Sequence, residues 1–226
     1  MRQIIASQTR PYAHDMISEN RPTRLPTTHL LYLHGFRSSP QSAKARKVAT
    51  RVHAQHPGVV WWCPQLPPSP HEAMQLLLQG TADWPAAGTT VIGSSLGGFY
   101  ARGFSLQKNC RAALLNPAVF PARDLARHIG EQTAWHDPQE RFFFRPEFVS
   151  ELTRQQEAIA QAAARHPATP DELFAIVAKG DEVLDWREMC QFCEGGDIRL
   201  LPGGDHAIRD FDAHIDTLFD FLKLSP

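Results

Sequence analysis

A serine flanked by glycines, Gly93-Ser94-Ser95-Leu96-Gly97, stands between a short apolar run and a helical segment. Gly-x-Ser-x-Gly at a strand-to-helix junction is typical of a sharp turn that holds the serine hydroxyl above the edge of a sheet. Gly93 and Gly97 fit such a turn, because side chains there would collide with the neighbouring strand and helix. We therefore predict that Ser95 is a nucleophile, activated by a base that takes its proton.

A histidine later in the chain could be this base. His206 follows Gly203-Gly204-Asp205 directly after an apolar strand, and we predict that it accepts the proton of Ser95. An acid must then orient the imidazole and stabilise the imidazolium. The chain order serine, acid, histidine is that of the α/β-hydrolase triad and differs from the order in other triad folds.

Three aspartates could serve as the acid. Asp185 has the D-x-x-E spacing of a helix N-cap with a reciprocal glutamate, which is a sufficient structural role. Asp205 adjoins His206, and neighbouring side chains tend to point apart. Asp181 comes just after a predicted strand, behind Gly180, and we favour it as the acid of the triad.

Backbone N–H groups must stabilise the tetrahedral intermediate of an acyl transfer. We expect Leu96, which follows the nucleophile, and Phe36, in the loop after the first strand, to supply them. His34 and Gly35 precede Phe36, and we expect His34 to hold this loop by hydrogen bonds rather than to react. Asn116 ends a strand near the site, and a role in the local turn is equally compatible with the sequence.

Alternating strands and helices must position these residues. Strands are predicted over 30–33, 59–63, 89–93, 111–115, 173–178 and 198–201. Helices are predicted over 39–56 (with Ser39 as N-cap), 71–79, 96–106 and 186–193, and over a last segment whose apolar face is Phe211, Ile215, Leu218, Phe219 and Leu222. Repeated β-α units predict a mostly parallel central sheet with helices on both faces, and function at the carboxyl ends of its strands.

The alternation is interrupted at about 118–170, where several prolines and a helix at about 147–165 predict a small helical cap. The aromatic stretch Phe142-Phe143-Phe144 could line an acyl pocket beneath this cap, or it could pack the cap against the body. Residues 1–28 lack a regular period and contain several prolines, so we predict an irregular leader before a single domain at 29–226.

Composition narrows the class of protein. The 226 residues are 42% hydrophobic and have a net charge of −1, as expected for one globular domain whose main partner is neither nucleic acid nor an anionic membrane. We find no signal-peptide core and no membrane-spanning run, and expect a cytoplasmic protein. Cys63, Cys110, Cys190 and Cys193 are predicted to be ordinary reduced thiols, with a redox or metal role for 190–193 as the lesser alternative. We expect neither a metal nor an organic cofactor.

Taken together, these segments resemble the YqiA-like esterase family of the α/β-hydrolase superfamily, over roughly 29–225. The matching stretches are Leu31-Tyr32-Leu33-His34-Gly35-Phe36, Ser38-Ser39-Pro40-Gln41-Ser42, Ile92-Gly93-Ser94-Ser95-Leu96-Gly97-Gly98-Phe99-Tyr100, Asn116-Pro117-Ala118, Gly180-Asp181-Glu182-Val183-Leu184-Asp185 and Gly203-Gly204-Asp205-His206-Ala207. The resemblance implies a reduced, three-layer α/β-hydrolase fold without the first strands, and Ser95, Asp181 and His206 as triad. One departure is Ile208, which stands where we expect a phenylalanine and should alter the packing near the histidine.

The sequence thus predicts a serine hydrolase that cleaves carboxylic esters of small acyl substrates through an acyl-Ser95 intermediate. An acyl-CoA thioesterase or acyltransferase is the alternative among enzymes. A catalytically silent, hydrolase-like protein that binds an acyl ligand or a partner is the alternative from another class. The sequence does not indicate the acyl-chain length or the oligomeric state.

Overall fold

The computed structural model describes residues 24–135, 137 and 139–226. The strands are β1 (His29–Leu33), β2 (Val60–Trp62), β3 (Thr89–Ser94), β4 (Arg111–Leu115), β5 (Gly130–Thr133), β6 (Arg141–Phe144), β7 (Leu173–Ala178) and β8 (Asp197–Leu201). The α-helices are α1 (Ala43–Gln55), α2 (Pro70–Gly80), α3 (Leu96–Lys108), α4 (Pro121–Leu125), α5 (Pro146–Arg165), α6 (Trp186–Phe192) and α7 (Ile215–Leu222). Among the described residues, no helix combines the length and apolarity needed to cross a bilayer.

A parallel sheet forms the centre of the fold. In the described part of the chain its six strands lie in the order β2-β1-β3-β4-β7-β8, and every neighbouring pair is parallel. β4 and β7 begin and end where the sequence predicts. Parallel strands buried on both faces read as continuous apolar runs, which is why these two were predictable.

Helices cover both faces of the sheet, and alternate strand residues supply the two cores. In β4, Ala112 and Leu114 belong to the core that includes residues of α2, α3, α5 and α6. Their neighbours Ala113 and Leu115 belong to the other core, which includes residues of α1 and α7. The predicted three-layer architecture is confirmed.

The predicted start of the first helix is wrong by three residues. α1 begins at Ala43 with Ser42 as N-cap, not at Pro40 behind Ser39. Ser39 instead closes a turn: its carbonyl oxygen accepts a hydrogen bond from the Ser42 N–H at 3.0 Å, and its hydroxyl accepts one from the Gln41 N–H at 3.2 Å. Ser39 and Pro40 therefore belong to a turn that connects the Phe36 loop to α1.

The insertion at 118–170 contains the predicted helix, α5, together with a short helix, α4, and a ribbon that we did not predict. β5 and β6 pair antiparallel, so the aromatic stretch 142–144 is a strand with a period of two. Phe142 and Phe144 both lie edge-on to Phe36, at centroid distances of 5.9 and 5.3 Å, whereas Phe143 is 58% exposed.

The long helix α5 has a second role, as the connection from β4 to its parallel neighbour β7. It contacts α2 and α3 and buries Leu152 and Ile159 in the core. Because α5 belongs to the body of the fold, the cap itself is the segment 118–145, which precedes α5 in the chain.

Most of the predicted leader, residues 1–23, lies outside the described residues. Its last part is bonded to the domain: the Thr27 hydroxyl donates to the Leu222 carbonyl at 2.6 Å, and the Thr28 N–H donates to the Gly88 carbonyl at 2.9 Å. The boundary between leader and domain stays a prediction.

Phe144 should be the main apolar anchor of the ribbon. Phe144→Ala removes a side chain that is 1% exposed, and we expect the free energy of unfolding in urea to fall by about 3–5 kcal/mol. Phe143→Ala is the matched control on the same strand, with an expected change within about 0.5 kcal/mol. Equal losses for both variants would contradict this account of the ribbon.

Candidate active site

The turn between β3 and α3 forces Ser95 into an unusual backbone conformation, with φ 56° and ψ −122°. A Cβ atom on Gly93 would lie 2.1 Å from the Gly97 carbonyl oxygen, and one on Gly97 would lie 2.1 Å from the Leu33 carbonyl oxygen. Only glycine fits at either position. The Ser95 N–H donates to the Leu115 carbonyl at 3.0 Å, which fixes the turn at the carboxyl end of β4.

Three side chains from three loops meet at this turn. The Ser95 hydroxyl lies 2.9 Å from His206 Nε2, and His206 Nδ1 lies 2.7 Å from Asp181 Oδ2. Because the Asp181 carboxylate accepts the proton on Nδ1, Nε2 is the nitrogen that can accept from Ser95. The three residues have the geometry of a nucleophile, a base and an orienting acid.

The three candidate aspartates have different partners. The Asp181 side chain is fully buried, and its Oδ1 accepts the N–H groups of Val183 and Leu184, each at 2.8 Å. Asp185 caps α6 by accepting the Arg187 N–H at 2.8 Å. Among the three, the structure brings Asp181 to the histidine and leaves Asp185 at the helix cap.

Asp205 does not contact the imidazole of His206 either. Its carboxylate forms an ion pair with Arg209 at 3.1 Å, one helical turn along the chain. The side chains of Asp205 and His206 thus point to different partners, as expected for neighbours on a tight loop.

The loop that carries His206 is held by two side chains from elsewhere. Glu182 Oε2 accepts the His206 N–H at 3.0 Å, a contact that we did not predict. The only signal for Glu182 in the sequence is that it follows Asp181, which does not specify a direction for its side chain.

Asn116 connects this loop to the sheet. Its Nδ2 donates to the carbonyls of Asp205 and His206 at 3.0 and 3.2 Å, and its Oδ1 accepts the Ala178 N–H at 2.8 Å. Asn116 is fully buried and has φ 41°, so it forms the turn after β4 and also ties together the ends of the strands that lead to the acid and the base. Asn116 thus lies near the candidate site and also forms the local turn, the two alternatives that the sequence left open.

The loop after β1 lies against the nucleophile. A Cβ atom on Gly35 would lie 3.2 Å from Ser95 Cβ, a tight contact that glycine avoids. His34 is 4% exposed, and its Nε2 accepts the Leu66 N–H at 3.1 Å while Nδ1 donates to the Gly35 carbonyl at 3.0 Å. These contacts are those of a side chain that holds the loop.

The two expected oxyanion donors are adjacent to Ser95. Phe36, Leu96 and Ser95 line the same cavity, and within the described residues neither the Phe36 nor the Leu96 N–H donates to another backbone carbonyl. Leu96 is the first residue of α3, where N–H groups have no partner inside the helix. Their role as oxyanion donors stays a prediction.

Two cavities of different character meet at Ser95 and His206. One, of 190 Å³, is mainly apolar and includes Leu96, Ala118, Leu125 and Leu184 in its walls. The other, of 340 Å³, includes serine hydroxyls and Lys44 in its walls. A third cavity, of 530 Å³, lies beside the apolar one and is lined in part by Phe142. Of the aromatic stretch, Phe142 thus lines a cavity while Phe144 packs the cap.

The cysteines lie away from these cavities, and all four are free thiols. Burial raises the pKa of the Cys193 thiol to about 12 and also raises the pKa of Cys190, so both stay protonated at neutral pH. Protonated, poorly nucleophilic thiols are typical of structural cysteines. In the part of the chain that the structure describes, no group of three histidine, cysteine or acidic side chains is placed to hold a metal.

Ile208, the departure from the family pattern, is 1% exposed and packs in the core of α1 and α7. Its backbone φ is 51°, directly after the loop of His206. The structure therefore gives this position a packing role next to the histidine.

The sheet order, the turn at Ser95 and the layers of helices define an α/β-hydrolase fold. Three solved structures share this fold. A monoacylglycerol lipase of Paleococcus ferrophilus matches with a TM-score of 0.63 and 13% identity, over 89% of this chain and 96% of that one. Mouse alpha/beta hydrolase domain-containing protein 10 has a TM-score of 0.60 and 17% identity, with coverages of 88% and 92%, and an esterase domain of a Rhodothermus marinus protein has a TM-score of 0.60 and 18% identity, with coverages of 88% and 87%. The chain belongs to the uncharacterised protein family UPF0227, whose sequence model matches residues 29–223. This is the family of the YqiA-like proteins, so the predicted resemblance is confirmed.

Asn116→Ala should destabilise the protein. It leaves the Ala178 N–H and two carbonyls without their partner, and an unsatisfied buried group costs about 1–3 kcal/mol. We expect the free energy of unfolding in urea to fall by about 2–4 kcal/mol. Asn109→Ala is the control, since Asn109 shares the left-handed backbone (φ 54°) but is exposed, with one side-chain hydrogen bond from Arg24. A loss as large there would contradict the stabilising role of the buried Asn116 contacts.

Proposed function

We propose that this protein is a serine hydrolase that cleaves carboxylic esters of small acyl substrates through an acyl-Ser95 intermediate. The observation that carries the proposal is the continuous hydrogen-bonded chain from Ser95 Oγ through His206 to the buried Asp181 carboxylate. It stands at the carboxyl edge of a parallel sheet, where active sites of such folds form.

In the first half of the reaction, His206 Nε2 takes the hydroxyl proton while Ser95 Oγ forms a bond to the acyl carbon. The carbonyl oxygen becomes an oxyanion and accepts hydrogen bonds from the Phe36 and Leu96 N–H groups. The tetrahedral intermediate then collapses, the bond to the leaving group breaks, and His206 gives its proton to the leaving oxygen or sulfur. The acyl group stays on Ser95.

In the second half, water takes the place of the leaving group. His206 removes a proton from the water as its oxygen attacks the acyl carbon, and the same amides stabilise the second oxyanion. Collapse releases the carboxylic acid and returns the proton to Ser95. Throughout, the two backbone N–H groups that donate to Asp181 Oδ1 keep its carboxylate oriented toward Nδ1, so that it stabilises the imidazolium each time it forms.

The comparisons with solved structures support hydrolysis. A lipase and an esterase share the fold at 13% and 18% identity, and their names describe them, not this chain. An acyl-CoA thioesterase or acyltransferase would use the same first half-reaction, so it stays the alternative among enzymes. A silent binding protein would have no use for a complete triad, which favours an enzyme. The cytoplasmic location stays a prediction.

Labelling with a fluorophosphonate tests the nucleophile. The wild-type protein should be labelled, and Ser95→Ala should abolish labelling because the attacking hydroxyl is gone. Ser94→Ala is the matched control one residue away, and it should keep at least a large share of the labelling. An unlabelled wild type, or equal labelling of Ser95→Ala, would overturn the proposed function.

Asp181→Asn should lower kcat for a short-chain ester by about 10³–10⁴-fold, because the amide no longer favours the productive tautomer of the histidine. Asp185→Asn keeps a side-chain oxygen for the cap of α6, so kcat and the free energy of unfolding should both stay nearly unchanged. Steady-state hydrolysis by both variants separates the two roles. The reverse pattern would transfer the role of the acid to Asp185.

A further inference from the structure

Lys44 lies near the proposed nucleophile, although the proposed reaction gives this lysine no role. It is the second residue of α1 and lines the 340 Å³ cavity together with Ser95 and His206. Its Nζ donates to the Ala207 carbonyl, at 2.5 Å, directly after the histidine. The ammonium group of Lys44 therefore lies next to the loop of His206, the proposed base.

The surroundings of Lys44 disfavour an isolated ammonium. Burial lowers its pKa to about 8, although Asp205 and Asp181 act in the opposite direction. Those carboxylates have their own partners, Arg209 and His206, and in the described part of the chain no carboxylate lies within ion-pair distance of Lys44. An anion in the cavity would offset the cost of burying this charge.

The position of Lys44 on α1 further disfavours an ammonium without an anionic partner. A cation in the first turn faces the positive end of the helix dipole, and the first turn of α1 contains no acidic residue. Ser38 and Ser42 contribute hydroxyls to the same wall. The cavity thus combines a positive charge with neutral donors.

The two cavities at Ser95 differ in polarity, which indicates where the acyl chain and the leaving group of a substrate would bind. The 190 Å³ cavity has an apolar wall from side chains of α3, the cap and the loop after β7, which suits an acyl chain, and its lining also includes Arg37, Asp124 and Arg127. The leaving group must then occupy the other cavity, which His206 also lines and where it can return a proton to the leaving atom. Lys44 is on this second side.

We propose that Lys44 makes this enzyme selective for acyl esters or thioesters whose leaving group carries an anion, a carboxylate or a phosphate. The ammonium contacts that anion while the acyl chain fills the apolar cavity. Lys44 is then a specificity-determining residue rather than part of the triad. The inference rests on the proposed function and names the class of substrate for the same site.

Matched substrates isolate the charge of the leaving group. The butyrate ester of 4-hydroxybenzoate is the anionic substrate, and the butyrate ester of methyl 4-hydroxybenzoate is its neutral counterpart. Butyryl-CoA and butyryl-N-acetylcysteamine form the corresponding thioester pair, with phosphate as the anion. The hemisuccinate of methyl 4-hydroxybenzoate carries its charge on the acyl side and tests the assignment of the cavities.

Lys44→Gln keeps a donor for the Ala207 carbonyl and removes the charge. The readout is the ratio of kcat/KM for the anionic over the neutral member of each pair. We expect the wild type to favour the anionic member, and Lys44→Gln to lower the ratio by at least about tenfold through KM, while Lys44→Arg retains it. Lys47→Gln is the control on the same helix, because Lys47 pairs with the exposed Asp212, and it should leave the ratio unchanged.

Each outcome decides the matter. If Lys44→Gln lowers kcat/KM equally for charged and neutral esters, the lysine only positions the loop of His206 and the proposal is wrong. Loss confined to the hemisuccinate would place the anion on the acyl side and also overturn it. A response in only one pair selects phosphate or carboxylate as the anion. Fluorophosphonate labelling of the wild type is tested separately, so that failure of this inference leaves the proposed hydrolase intact.

Discussion

The left-handed backbone of Ser95 is the constraint on which the rest of the site depends. A non-glycine residue in a sparsely populated conformation costs on the order of 1–3 kcal/mol and persists only where its surroundings determine it. Here the Ser95 N–H is bonded to Leu115, and its carbonyl accepts from the N–H groups of Gly98 and Ala118. Backbone from both sides of the turn thus holds the serine in place. The absence of side chains at Gly93 and Gly97 lets the start of α3 approach β3 and the end of β1.

Parallel strands provide the rest of the arrangement. Because β3, β7 and β8 run in the same direction, the loops that carry Ser95, Asp181 and His206 leave the sheet at the same edge. Asn116, at the end of the intervening β4, bonds to both Ala178 and the loop of His206. The acid and the base therefore keep their relative position through a buried amide.

Much of this could be predicted from the sequence, for physical reasons. Strands β4 and β7 are continuous apolar runs, and the glycines around Ser95 are required by contacts that leave no space for a Cβ atom. The carboxyl edge of the sheet then brings Ser95 and His206 together, with Asp181 as the favoured acid.

Other features depend on tertiary contacts that the local pattern does not encode. The ribbon of β5 and β6 consists of short strands whose phenylalanines also fit a helical cap, and its pairing becomes evident only in three dimensions. The start of α1 was placed too early because Ser39 and Pro40 are good helix-start residues that a turn uses instead. Glu182 reaches the site from a loop and Lys44 from the first turn of α1, and the directions of both side chains are set by the packed fold.

The segment 118–145 supplies walls to the cavities but includes none of Ser95, Asp181 and His206, and neither of the proposed oxyanion donors, Phe36 and Leu96. Its far end is fixed by α5, which belongs to the framework through its contacts with α2 and α3. The residues proposed to react and many of the residues that line the cavities therefore belong to separate segments of the chain. A change confined to 118–145 would alter the shape of the cavities and leave Ser95, Asp181 and His206, with the strands that position them, in place.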